Sequence, residues 1–256
     1  MPRSAAVKPP PSLHPPRGWL VVRGLRRTTA ALVAGLRAQP RTAVNGWWIG
    51  LSLLLAGGSA MVLALCALAA AAARDGRLAW EAGVAEGANR WPLGFGQALI
   101  LDALGSPLLL VPLVLAAAGA AALAGRPLRA LTFLASYFVL SLPVVLGWLA
   151  WRRARPTAVL DGMASPGFSA FPSGHVAQAA SVYGLLALVW MASTPHRGER
   201  ALAGVAALAA TALVAAARLR LGVHWPTDLA AGAVLGTGWA LASAWMLRAA
   251  ERRGGR

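Results

Sequence analysis

Six stretches of the chain run for about the length of a membrane-crossing helix with almost no charge. They cover 47–73, 107–124, 130–151, 175–193, 201–217 and 229–247, and each approaches the roughly 20 residues a helix needs to cross the hydrocarbon of a bilayer. A soluble helical bundle would interleave Lys and Glu with its apolar positions, and these stretches do not. The pattern predicts an all-α fold, a bundle of six transmembrane helices. Polar segments at 74–106, 151–172 and 218–228 then fall at one end of the bundle, and those at 125–129 and 193–200 at the other. The GRPLR segment (125–129) is short enough to make spans two and three an antiparallel hairpin. No fixed-period repeat runs through the sequence.

Composition agrees with this reading. Of 256 residues, 58% are hydrophobic and 12% charged, too apolar for a soluble domain of this size. The single cysteine, Cys66, lies in the first span and permits no disulfide within the chain. ALAAAAAR (67–74) resembles a signal-peptide cleavage site, but the apolar run before it is too long, so an uncleaved helix is expected.

Charge adds an orientation. The formal net charge is +16, and sixteen of the 24 basic residues fall on the side that carries both termini: eight between Arg3 and Arg41, then Arg126, Arg129, Arg197, Arg200, and four between Arg248 and Arg256. The positive-inside rule makes that side cytoplasmic and the protein a multi-pass inner-membrane protein. No aromatic or helical reading element is interleaved with the basic residues, so no nucleic-acid partner is expected. Residues 1–45 read as a basic tail, with proline-rich 1–18 disordered. Within it, 19–38 mixes apolar and Arg positions. It reads equally as an interfacial helix on anionic lipid and as a solvated basic segment. Residues 46–247 form the six-helix domain and 248–256 a second basic tail.

The candidate chemistry lies in the outer segments. In FPSGH (171–175), Ser173 is a good N-cap for the fourth span and Gly174 lets another group approach the backbone. The first-turn N–H groups and the helix dipole make such a terminus an anion site, with His175 beside it. Alone, this reads as readily as an ordinary helix start. In RLRLGVHWPTD (218–228), Arg218 precedes His224 by six residues and Asp228 follows by four. With the chain turning at Pro226, the carboxylate can accept the imidazole N–H; alone, Asp228 is equally a favourable first-turn acid. In WRRARP (151–156) three arginines break the positive-inside trend, and Arg155 precedes a proline that forces extended backbone.

A metal site is the rival reading of two histidines and an aspartate. Arg152, Arg153, Arg155, Arg218 and Arg220 neighbour these histidines, against Asp161 and Asp228. That field repels a divalent cation and suits a phosphate, so neither metal nor cofactor is expected.

These motifs together resemble the type 2 phosphatidic acid phosphatase superfamily, the six-helix lipid phosphate phosphatases related in fold to vanadium haloperoxidases. Its three motifs are Lys, six residues, Arg-Pro; Pro-Ser-Gly-His; and Ser-Arg, five residues, His, three residues, Asp. Residues 172–175 match the second fully. Arg218, His224 and Asp228 match the third, with Ala217 in place of serine, and Arg155-Pro156 match the end of the first. The resemblance covers about 46–247. It implies a metal-independent lipid phosphatase in which His224 attacks phosphorus, forming a phospho-histidine. Asp228 orients that ring, and His175 protonates the leaving group. By the same resemblance Arg155, Arg218, Ser173 and Gly174 hold the phosphate oxygens. Implied substrates are undecaprenyl diphosphate, phosphatidylglycerol phosphate and phosphatidic acid, with family precedent favouring the first. A phosphotransferase with an acceptor other than water, or a degenerate phosphate-lipid binder, is the alternative. The chain departs from the first motif at Trp148, where the family has lysine. If span three stays helical, Arg152 lies one turn further on the same face and replaces that cation, or Arg153 does so.

Overall fold

The computed structural model describes residues 17–157, 167 and 169–255, with side chains from residue 22. Tail residues 1–16 and Asp161 lie outside the described residues. Ten α-helices are present among these residues, with no strand: α1 Arg17–Arg37, α2 Arg41–Arg74, α3 Trp80–Gly87, α4 Phe95–Ala103, α5 Pro107–Leu123, α6 Pro127–Phe138, α7 Ser141–Ala150, α8 Gly174–Ser193, α9 Arg197–Arg220 and α10 Pro226–Arg253. Six helical spans are long and apolar enough to cross a membrane: α2, α4 with α5, α6 with α7, α8, α9 and α10. Prolines open α5, α6 and α10 at their first turn, where a missing N–H costs nothing. Gly125 and Gly222 take left-handed φ of 70° and 68° in the turns after α5 and α9.

Span two differs from expectation. The sequence puts its start at 107, yet α4 stacks on α5 and carries the apolar rod back to Phe95. The stretch FGQALILDA is apolar enough to continue the span, and its one acid, Asp102, is buried against a partner on α9. Span three is interrupted at 139–140, between α6 and α7. Pro143 explains the break, because it cannot donate to the carbonyl four residues back. The local ladder shifts, with Leu140 N donating to Ala135 O at 3.3 Å. Polar groups of α8 settle into this region: Ser181 Oγ donates to Ser136 O at 2.8 Å and Gln178 Nε2 to Tyr137 O at 3.1 Å.

Helix α1 lies against the bundle. A Cβ on Gly35 would stand 3.3 Å from the Pro127 ring, and Leu32 and Leu36 join buried clusters drawn from α2, α5, α6, α8 and α10. The ends of α6 and α10 are joined nearby by Arg129–Glu251 at 3.2 Å, and Gly254 abuts Gln39 and Ala43.

The contact that positions the functional end is between α8 and α10. Gly232 and Gly236 form a GxxxG face, the spacing that lets membrane helices approach backbone to backbone. A Cβ on Gly232 would lie 2.5 Å from Ser173 O, and one on Gly236 would lie 2.2 Å from Ala177 O. Ser173 N consequently donates to Asp228 O at 3.0 Å. The two histidine-bearing segments are thus tied together through main chain before any side chain reaches across.

Candidate active site

At this end of the bundle, the segments before α8 and α10 and after α7 converge. His224 sits in the turn between α9 and α10 at 2% exposure. Its Nδ1 lies 2.8 Å from Ala170 O. A carbonyl can only accept, so Nδ1 carries the hydrogen and the lone pair is on Nε2. That lone pair faces two guanidiniums, Arg218 Nη2 at 3.3 Å and Arg155 Nη1 at 3.5 Å. Burial, then Arg218 and Arg155, push His224 well below its ordinary pKa of 6.5. The ring is neutral, with its free nitrogen aimed at the place where arginines would hold an anion.

Asp228, the expected orienting group for His224, lies beside the ring but also has other partners. Its Oδ2 is 3.5 Å from Nδ1, behind the nearer Ala170 carbonyl. It accepts from Trp225 N at 2.8 Å, the reach-back of a helix N3 acid to its cap. Oδ1 accepts from Arg153 Nη1 at 2.6 Å.

The helical path from Trp148 to Arg152 does not exist, which corrects the expectation built on it. Helix α7 ends at Ala150, and Trp151 is extended at φ −137° and ψ 100°. Arg153 turns inward and binds Glu81, Asp228 and Thr227 Oγ1 while its guanidinium lies 5.0 and 5.4 Å from the Trp151 and Trp225 ring centres. Two carboxylates neutralise it, so it is a cross-link rather than a stand-in for lysine. Arg152 is exposed and lines a cleft of about 660 Å³ with Arg155, Trp148, Val145 and Leu149, and Arg153 also borders it. Arg155 donates to Val223 O at 2.5 Å, and burial followed by Arg218 lowers its pKa.

Trp148 occupies the position where lysine was expected. Its Nε1 donates to Pro172 O at 3.0 Å, and its ring lies where a Cβ on Gly174 would meet it at 3.1 Å. The group that Gly174 admits is therefore this indole. Ser173 begins α8 but makes no side-chain cap; its Oγ is buried and without a partner among the described residues. A buried hydroxyl in that condition is a donor awaiting an acceptor.

Two site residues were not assigned a role from sequence. Glu81, on α3, accepts from Thr227 N and Oγ1 at 2.8 Å besides binding Arg153. Asp102 pairs with Arg218 at 3.2 Å and lies 3.8 Å from His175 Nε2. The arginine excess inferred around the histidines is therefore smaller, since Arg153 and Arg218 each meet a buried acid. The signal was available: an acid in so apolar a chain is costly unless it has a partner. Asp102 and Arg218 also link the two imidazoles, with His175 against the acid and His224 against the base. Among the described residues no three His, Cys, Asp or Glu side chains converge as a metal would require.

Residues 128–252 match the family model described as the PAP2 superfamily. Among solved structures, the chain is similar to one titled "Crystal structure of the first transmembrane PAP2 type phosphatidylglycerolphosphate phosphatase from Bacillus subtilis". The TM-score is 0.63 at 22% identity, over 76% of this chain and 96% of that one. At that identity the likeness is one of fold. No curated protein matches the chain.

Proposed function

Because the chain belongs, through residues 128–252, to the PAP2 superfamily, we propose that it is a metal-independent lipid phosphate phosphatase working through a phospho-histidine. The observation that carries this reading is the placement of the His224 Nε2 lone pair between Arg218 and Arg155, with His175 across the Asp102–Arg218 pair. Phosphoryl transfer demands charge stabilisation and in-line positioning above all, and guanidiniums flanking a neutral imidazole support the first.

In the first step the His224 Nε2–phosphorus bond forms as the phosphorus–oxygen bond to the leaving group breaks, and the His175 proton passes to the leaving oxygen. In the second, water oxygen bonds to phosphorus, the phosphorus–nitrogen bond breaks, and His175 takes the water proton, releasing inorganic phosphate. Arg155, Arg218, the Ser173 hydroxyl and the first-turn N–H groups of α8 hold the equatorial oxygens, and Arg152 receives the headgroup at the cleft mouth. Val145, Trp148 and Leu149 give that cleft an apolar wall continuous with the outside of α7, where a lipid tail can remain in the bilayer.

The substrate class is a lipid phosphate monoester or diphosphate, the range spanning phosphatidylglycerol phosphate, phosphatidic acid and undecaprenyl diphosphate. The asymmetry of basic residues supports an inner-membrane location with both termini cytoplasmic and the site extracytoplasmic. By the same reasoning α1, with Arg23, Arg26 and Arg27, serves anionic lipid on the inner leaflet. The test is phosphate release from these lipids in detergent with chelator, wild type against His224→Ala. Turnover that survives the substitution, or disappears with chelator, refutes the mechanism.

A further inference from the structure

Beside His175 lies a second cavity, of about 280 Å³, between α5, the break in span three and α8. Gly105, Tyr137, Ser141, Trp148, His175 and Gln178 contribute to its wall. It shares Val145 and Trp148 with the arginine-lined cleft. A space of this size exceeds one water, whose share of liquid volume is about 30 Å³.

Gln178 sets the chemistry of this cavity. It is 7% exposed, and its Nε2 donates to Tyr137 O at 3.1 Å and to Ser141 Oγ at 2.9 Å. The Tyr137 carbonyl can only accept, so the orientation of the amide is fixed. Its Oε1 is buried and has no partner among the described residues. An unpaired buried acceptor is costly, and a ligand that brings a donor recovers that cost. Gln178 follows His175 by three residues on α8, about 4.5 Å further along the helix axis and on the same side. A hydroxyl on the carbon adjacent to the one bearing the oxygen that His175 protonates, plus one hydrogen bond, covers that distance.

We propose that this cavity receives the leaving alcohol and that Gln178 Oε1 accepts a hydrogen bond from a free hydroxyl on it. The preferred substrates are then lipid phosphates whose leaving group is a polyol such as glycerol. A prenyl diphosphate brings no hydroxyl to Oε1, and phosphatidic acid frees one only at the reacting oxygen. The inference rests on the phosphatase reading above and narrows it.

The decisive measurement compares kcat/KM for phosphatidylglycerol phosphate with that for the analogue built on propane-1,3-diol, which lacks only the middle hydroxyl of the headgroup. The wild type is expected to prefer the hydroxylated substrate roughly ten- to hundredfold, the range for leaving a buried polar group unpaired. Gln178→Met should reduce that preference to about twofold or less. Gln178→Glu, whose protonated carboxyl can donate to Tyr137 while keeping an acceptor oxygen, should retain it. A wild-type preference below about twofold overturns the proposal and leaves the phosphatase reading standing, as does a preference unchanged in Gln178→Met. If the wild type turns over no lipid phosphate above His224→Ala, both fall. The wild-type comparison alone decides the matter should Gln178→Met fail to fold.

Discussion

Replacing Arg153 by methionine tests whether this residue is a cross-link or a phosphate ligand. Its guanidinium meets Glu81 and Asp228, which are 1% and 0% exposed, and also Thr227 Oγ1. The substitution keeps much of the apolar stem and removes the charge, leaving two buried carboxylates without their counter-ion. Breaking a buried pair in this way costs about 3–5 kcal/mol, mostly the penalty of the stranded charge. For a chain of this size each kcal/mol moves the midpoint by about 2–4 °C, so thermal unfolding in detergent should fall by about 6–20 °C. Adding Glu81→Gln removes one stranded carboxylate and should return part of that loss, a coupling of the kind a double-mutant cycle reads. Arg152→Met is the contrast. Arg152 is exposed at the cleft mouth, so its loss should leave the midpoint within about 2 °C, as for surface changes of about 0.5 kcal/mol, while raising KM. A stable Arg153→Met protein with weakened substrate binding would refute the assignment and make Arg153 the replacement cation.

Four further outcomes follow from the same geometry. Arg155→Met removes one of the cations that depress His224, so the acid limb of the kcat/KM profile should move to higher pH; an unmoved limb separates that limb from His224. The folded pKa of His224 lies below its unfolded 6.5, so the unfolded state binds more protons, and stability should fall as pH drops below about 6.5. His224→Gln should flatten that slope in a series of thermal midpoints. Gly236→Ala puts a Cβ 2.2 Å from a main-chain carbonyl and should cost about 1–3 kcal/mol as over-packing. Gly238→Ala, meeting only the flexible Met61 Cε at 3.3 Å, should cost less than half as much. Trp148→Lys restores the family's residue type but loses the bond to Pro172 O and the packing on Gly174; phosphate-release assays should show activity falling, and a gain would mean the indole is only filler.

What was legible in the sequence was what a single residue type or spacing can encode. Six apolar runs gave six spans, because a bilayer imposes length and hydropathy directly. The Pro-Ser-Gly-His and Arg–His–Asp spacings located the segments that the structure brings together. What was not legible depends on distant pairing. Nothing near Asp102 names Arg218 as its partner 116 positions away, and nothing near Glu81 names Arg153 or Thr227. The helical route to Arg152 fails because Trp151 leaves the helix, and Arg153 then turns inward to acids that lie far away in sequence. Asp228 was legible as a residue of the site, but the Ala170 carbonyl that stands nearer the imidazole was not, since any residue supplies a carbonyl.

The acids missed from sequence also explain how the site can hold so many cations. Three buried or half-buried guanidiniums beside two imidazoles would repel one another without compensation, and isolated buried charge is far costlier than paired charge. Arg153 is neutralised by Glu81 and Asp228, and Arg218 by Asp102. Pairing does not silence Arg218: its Nη1 meets Asp102 while Nη2 faces His224. Together with burial, that guanidinium disfavours a proton on His224, the proposed nucleophile, and it remains oriented towards the place proposed for phosphate. His175 has Asp102 on one side against the fields of Arg155 and Arg218. On the proposed mechanism, a phosphate dianion drawn between those arginines would offset their field and favour a proton on His175 when the leaving oxygen needs one. On that mechanism, binding and proton placement would be a single electrostatic event, with the acid–base roles separated by how closely each imidazole Nε2 faces the guanidiniums.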